Sequence, residues 1–289
     1  MNYLAHFGLR EPPFGITPDT SFFYPCRSSQ QALNTVLVAL ENGEGFIKII
    51  GEVGTGKTML CRKLLATLDD TQWVSAYIPN PNLEPRALLF AVAEEFGLGL
   101  DPGLDQYRLL KGVTRSLLDR ARSRRRVVLC MDESQAMPLD TLEALRLITN
   151  LETEKRKLLQ VVLFGQPELD RKLASESVRQ LRQRITFQHD LQTLDEEEVG
   201  SYFTHRMRTA GYAGPALLAR AARRTLYRAS RGVPRLINIL SHKALFVLYG
   251  EDGTRLERRH IRAAVLDTPA AVQPRRWWSW PRLKLSRAE

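Results

Sequence analysis

Cysteine is scarce in this chain of 289 residues. The three that occur, Cys26, Cys61 and Cys130, lie far apart and show no ligand spacing. An odd number of scattered cysteines fits reduced thiols and excludes a disulfide scaffold. The five histidines are equally dispersed, which argues against a structural metal. No apolar run reaches the roughly 18 residues that a bilayer-spanning helix needs. The start, Met1-Asn2-Tyr3-Leu4-Ala5-His6-Phe7, has no basic region followed by an apolar stretch, so no secretory signal is expected. These absences together predict a cytoplasmic protein. No internal repeat, helix-turn-helix or zinc knuckle is legible.

What is present is an ordinary globular composition, 44% hydrophobic, with one highly specific motif. Gly51-Glu52-Val53-Gly54-Thr55-Gly56-Lys57-Thr58 reads G-x-x-x-x-G-K-[ST], a loop that binds nucleotide phosphates. It follows an apolar run, Phe46–Ile50, and precedes a segment of helical spacing from Met59. Glycines let the backbone wrap a phosphate and aim its N–H groups inward. The helix that starts there adds a positive dipole end. Lys57 is expected to reach the β- and γ-phosphates, and Thr58 to hold Mg²⁺. ATP and Mg²⁺ are therefore the expected ligands, with Gly51 through Met59 forming the cradle.

A second motif lies downstream. The apolar run Val127–Met131 ends in Asp132-Glu133. Asp132 is expected to act through water on Mg²⁺, and Glu133 to orient and polarise the attacking water. A Glu in that place favours hydrolysis over phosphoryl transfer to a small molecule. Gln166 follows another buried strand, Leu159–Phe164, so it projects at the same sheet edge and can sense the γ-phosphate. Strands alternate with helices from 46 to 188, which predicts an α/β fold with a parallel sheet covered on both faces. After 190 the pattern reads as helices only, near 195–210, 215–229, 234–249 and 257–267. A capping box is expected at Thr193-Leu194-Asp195-Glu196. The expected organisation is a lead-in packing on the core (1–45), a nucleotide-binding domain (46–190), a helical lid (191–268) and a basic tail (269–289).

This order of parts resembles the AAA+ ATPases over about residues 1–268. On that resemblance Gly51–Thr58 is the Walker A loop and Val127–Glu133 the Walker B strand. Gln166 takes the sensor-1 place. Arg184 matches the arginine finger that reaches a neighbouring subunit's ATP, with Arg182 the alternative. Arg235, in Gly232-Val233-Pro234-Arg235, matches the sensor-2 arginine of the lid. Asn80 is either a polar switch that holds Glu133 away from water or a cap for the following turn. A narrower resemblance rests on Tyr3-Leu4-Ala5-His6-Phe7-Gly8-Leu9, Pro12-Pro13-Phe14, Thr17-Pro18-Asp19, Asp132-Glu133-Ser134-Gln135 and Phe164-Gly165-Gln166-Pro167-Glu168-Leu169. These runs are similar to the ExeA/GspA secretion ATPases and, by length, to the MshM-type ATPases of MSHA (type IV) pilus biogenesis. The resemblance implies ATP hydrolysis in a homo-oligomeric ring that serves pilus or secretion assembly proteins at the inner membrane. Longer family members continue into a transmembrane helix and a peptidoglycan-binding region, which these residues do not carry over.

The net charge of +10 suggests a further anionic partner. Arginines cluster at 120–126, at 220–231 and in the tail, where Arg275-Arg276-Trp277-Trp278-Ser279-Trp280-Pro281-Arg282 interleaves indoles and cations. Such a tail suits peripheral contact with an anionic membrane face, packing on the lid or a partner protein, or, less well, stacking on single-stranded nucleic acid. The competing function is a DNA-dependent AAA+ ATPase such as a transposition target selector.

Overall fold

The computed structural model describes residues 3–101, 103–150, 152–153 and 156–273. The Trp-rich segment 275–282 lies outside the described residues. The chain opens with a short helix, α1 (Tyr3–His6), then irregular lead-in, then α2 (Arg27–Glu41). The core follows: β1 (Phe46–Gly51), α3 (Lys57–Leu65), β2 (Trp73–Ile78), α4 (Pro85–Glu95), α5 (Gln106–Arg122), β3 (Arg126–Met131) and α6 (Leu139–Thr149). A two-stranded ribbon, β4 (Glu152–Thr153) and β5 (Arg156–Lys157), leads to β6 (Gln160–Gly165), α7 (Glu168–Leu173), α8 (Arg179–Arg182) and β7 (Ile185–Leu191). The helical C-terminal part, for which the expected name lid is kept as a label, comprises α9 (Glu196–Thr209), α10 (Arg220–Ser230), α11 (Pro234–Gly250) and α12 (Arg258–Leu266). Among the described residues, no helix is long and apolar enough to cross a membrane.

The main sheet has five strands in the order β2-β3-β6-β1-β7, and every pairing is parallel. β1 and β6 are buried at all positions because helices cover both faces. Phe46, Ile50, Leu129 and Leu163 face α4, α5 and α6. Ile47, Ile49, Cys130 and Phe164 face α2 and α3. Each fully buried Leu, Ile or Phe contributes about 1.5–3 kcal/mol of burial free energy. These pairings bring Gly51, Met131 and Gly165 to one edge of the sheet, so the loops that follow them share one crevice.

Three expectations are corrected. β7 runs on to Leu191, beyond residue 188 where the alternation of strands and helices is expected to end, because parallel pairing with β1 carries it. Its outward residues Thr186, Gln188 and Asp190 are polar, as befits an edge strand. The capping box on α9 joins Asp195 to Glu198: Asp195 Oδ1 accepts from the Glu198 N–H at 2.8 Å, and Glu198 Oε2 accepts from the Asp195 N–H at 3.1 Å. Third, the lead-in does not pack on the core alone. Phe7, Leu9, Phe14 and Phe22 join the lid's apolar cluster around Phe203, Leu226 and Leu240, while α2 packs on the sheet.

Candidate nucleotide site

A cavity of about 340 Å³ opens between the sheet edge, the lead-in and the lid. Val53 through Met59, Glu133, Gln166 and Arg235 all line it. Gly54 and Gly56 adopt φ of 83° and 101°, a left-handed backbone that side chains resist. Gly56 caps α3, and no side chain satisfies that helix end, so its first N–H groups are available to an anion. This cradle fits a phosphate chain.

Lys57 is buried, and its Nζ donates to the Gly51 and Glu52 carbonyls at 2.8 and 3.1 Å. Burial pushes the Lys57 ammonium below its ordinary pKa, opposed by the Glu133 and Asp132 carboxylates. Thr58 donates its hydroxyl to Asp132 Oδ2. Burial raises the Asp132 pKa, and the Thr58 hydroxyl bond holds it down. A hydroxyl beside a buried carboxylate is an oxygen donor set that suits Mg²⁺. Thr58 and Asp132 are thus the residues fitted to hold it.

Glu133 sits in the left-handed region at φ 49°, a strained placement for a non-glycine residue. Its Oε2 accepts from Gln166 Nε2 at 3.0 Å and from Gln135 Nε2. The Gln166 N–H donates in turn to Gln135 Oε1 at 3.0 Å. Gln135 therefore ties the carboxylate that follows β3 to the amide that follows β6. Asn80 takes no part: it is exposed, and its Oδ1 accepts from the Asn82 N–H at 3.2 Å, capping a turn. Of its two readings, the capping role is the one the contacts show.

Arg235 reaches the cavity from the lid. Its N–H donates to the Gly54 carbonyl at 3.2 Å, so lid and phosphate loop touch through main chain. A Cβ on Gly54 would lie 2.7 Å from Arg235 Cβ, which explains the glycine there. Arg182 and Arg184 do not line the cavity. Ile185 pairs with Phe46 at the start of β1, whereas Gly51 pairs with Leu191. Arg184 is thus at the opposite end of the sheet from its own phosphate loop, about 17 Å away at strand rise.

Sequence reasoning missed Gln135, although it lies in the quoted Asp132-Glu133-Ser134-Gln135 run. It also missed Tyr202, Arg206 and Asn238, which line the cavity from the lid. The signal for Arg206 was a lone cation on the buried stripe Val199, Tyr202, Phe203, Arg206 and Met207 of α9.

Residues 40–173 match the family described as AAA domain. General secretion pathway protein A of Aeromonas hydrophila is 39% identical over 277 residues, covering 96% of this chain and 50% of that protein. The chain thus spans half the length of the curated relative it matches. Among solved structures, the ORC2 protein of Aeropyrum pernix in its ADPNP–ADP complexes aligns with a TM-score of 0.62 at 16% identity, covering 87% of this chain and 72% of that one. Cdc6p of Pyrobaculum aerophilum aligns with a TM-score of 0.64 at 17% identity, covering 85% and 70%. The RuvB branch migration motor of Thermotoga maritima aligns with a TM-score of 0.55 at 16% identity, covering 83% and 68%. At such identities the structures speak for the fold alone. The chain therefore has the P-loop AAA+ fold with a helical C-terminal part, carries an AAA domain, and is similar along nearly its whole length to general secretion pathway protein A.

Proposed function

We propose that this chain is a Mg²⁺-dependent ATPase that acts as a homo-oligomer in assembling a cell-envelope machine, a secretion system or a type IV pilus of the MSHA kind. The observation that carries the reading is that Lys57, Thr58, Glu133, Gln166 and Arg235 line one cavity, with Asp132 bonded to the Thr58 hydroxyl. Similarity to general secretion pathway protein A supports the cellular setting. Lys57 neutralises the β- and γ-phosphates. Thr58 and Asp132 would hold Mg²⁺, which would supply further charge neutralisation. Glu133 orients water for in-line attack and accepts its proton, and Gln166 fixes the attacked phosphate. Arg235 and an Arg184 from a neighbouring copy supply positive charge as the γ-phosphate departs. The work belongs at the cytoplasmic face of the inner membrane, with the tail as a peripheral contact.

The experiment is steady-state ATP hydrolysis with two variants. Lys57→Ala is expected to lose ATP binding, and Glu133→Gln to keep binding and lose turnover. Wild-type hydrolysis by Glu133→Gln would sink the assignment. A second reading, a DNA-dependent ATPase, draws on a groove lined by Arg220, Arg224, Arg228 and Arg258 on the lid. Stimulation of turnover by duplex DNA but not by anionic vesicles would favour it.

A further inference from the structure

One wall of the cavity is irregular chain, residues 15–18 of the lead-in. Two different parts of the molecule hold it. On the lid side, Arg206 donates through Nε to the Pro13 carbonyl and through a terminal nitrogen to the Gly15 carbonyl at 3.2 Å. Asn238 Nδ2 donates to the same Gly15 carbonyl at 3.3 Å. Tyr202 completes the cluster: its hydroxyl donates to Asn238 Oδ1 at 2.8 Å and accepts from Arg206 at 3.3 Å. The guanidinium also lies over the Phe22 ring, 4.6 Å from its centroid. On the core side, Arg62 of α3 donates to the Pro18 carbonyl at 2.7 Å.

Ile16 and Thr17 are therefore suspended between a lid anchor at Gly15 and a core anchor at Pro18. Both line the cavity, and Ile16 is 63% exposed. Arg206 itself is buried to 5% exposure, and its donors go to the Pro13 and Gly15 carbonyls and the Tyr202 hydroxyl. A buried cation is costly unless its donors are used. Here its donors are spent on main-chain carbonyls of the lead-in, which fixes a segment that no helix or strand would fix.

We propose that Arg206 is a positioning residue for nucleotide recognition: with Tyr202 and Asn238 it sets the Ile16–Thr17 strap as the surface that receives the base. This rests on the nucleotide-binding reading above and deepens it. With the phosphates at Gly56–Thr58, the remaining length of a nucleotide extends toward the strap, because the strap and the phosphate loop line one cavity. The strap's apolar Ile16 side chain offers a face for a flat ring, and its main chain offers donors and acceptors for the ring's edge. Because one anchor is on the lid and the other on the core, base contact and lid position are set together.

The test separates the base from the phosphates. ATP and inorganic tripolyphosphate, each with Mg²⁺, are titrated into the full chain and into Arg206→Lys, Tyr202→Phe and Ile16→Gly. Lysine keeps the charge and loses the forked donor set. The expected result is an ATP affinity weakened about tenfold in Arg206→Lys, the loss of one charge-assisted bond, with tripolyphosphate affinity unchanged. Tyr202→Phe and Ile16→Gly are expected to show the same split with smaller loss. Ile16→Gly alters an exposed side chain, so it keeps the test valid if Arg206→Lys unfolds. Equal losses for both ligands, or no loss for either, would overturn the role of Arg206. Wild-type protein that binds tripolyphosphate as tightly as ATP would overturn the base-receiving strap while leaving a phosphate site. Wild-type protein that binds neither would overturn the nucleotide reading and the inference with it.

Discussion

On the core side of the cavity, the functional side chains hang from loops at the C-terminal ends of buried parallel strands. On the other side, the wall is irregular chain held by side-chain donors from the lid and α3. The first half is held by the buried sheet, and each of its motifs is local in sequence. The second half joins residues 13–18 to residues 202–238, so it exists only when the lid is in place. The core side thus suits chemistry, which needs fixed geometry. The lid side suits regulation, because any displacement between the two distant segments that it joins would break its contacts.

The contrast can be broken most severely through Arg184, which belongs to the core yet lies far from its own cavity. Arg184→Ala is expected to bind ATP normally and to lose turnover by about 10³-fold or more. Mixing it with Lys57→Ala should restore part of the activity, since each supplies what the other lacks. Full activity of a strict monomer at low concentration would refute supply from a neighbouring copy.

Next in size is Arg235→Ala, which removes the lid's cation from the cavity. Nucleotide affinity is expected to fall by roughly tenfold, as for one lost charge-assisted bond. Limited proteolysis should then give the same pattern with and without ATP. A wild-type, nucleotide-dependent pattern would count against the role.

Gly232→Ala tests the junction itself. Gly232 has φ 73°, and a Cβ there would lie 1.9 Å from the Leu194 carbonyl oxygen, which must move. Backbone strain alone costs about 1–3 kcal/mol, so a lower thermal midpoint is expected. Gly250→Ala is the control, because nothing lies within 4 Å of its added Cβ. Equal midpoints for the two variants would show that the junction tolerates displacement.

The smallest effect is expected from Gln135→Leu. It removes one donor from Glu133 and the acceptor of the Gln166 N–H. With the carboxylate less restrained, basal turnover should rise a few-fold, corresponding to about 1 kcal/mol for a hydrogen bond. Unchanged turnover in a single-turnover assay would mean that the bond does not restrain Glu133.

The parallel sheet, the phosphate loop and the acid pair were legible because each depends on neighbours in sequence. Gly51–Thr58 sits between an apolar run and a helix, and Asp132-Glu133 ends an apolar run. The order of strands was not spelled out, since pairing of β1 with both β6 and β7 leaves no local trace. The destination of Phe7, Leu9 and Phe14 was misread for a related reason: apolar residues announce burial but not which surface buries them. The 120–126 arginine cluster, read as a candidate anion surface, is largely spent on structure. Arg120 donates to the Phe96 carbonyl at 2.7 Å, Arg125 to the Asp70 carbonyl at 2.7 Å, and Arg126 pairs with Glu41 at 2.7 Å. Around Arg220, Arg224 and Arg228, the acids that line the groove among the described residues are Glu196 and Glu197. Charge counts in a sequence cannot distinguish these two outcomes.

The position of β1 bears on how the protein is made. Its partners begin at Gln160 and Ile185, so the strand that carries the phosphate loop emerges long before either neighbour. Until then Phe46-Ile47-Lys48-Ile49-Ile50 has two open edges during synthesis, a segment prone to pairing with the wrong chain. Nucleotide cannot assist at that stage, because its binding wall waits further still, for Arg206 and Asn238. Early synthesis is therefore the interval in which the edges of β1 stay open longest, and late synthesis the first moment at which a bound nucleotide can stabilise the fold.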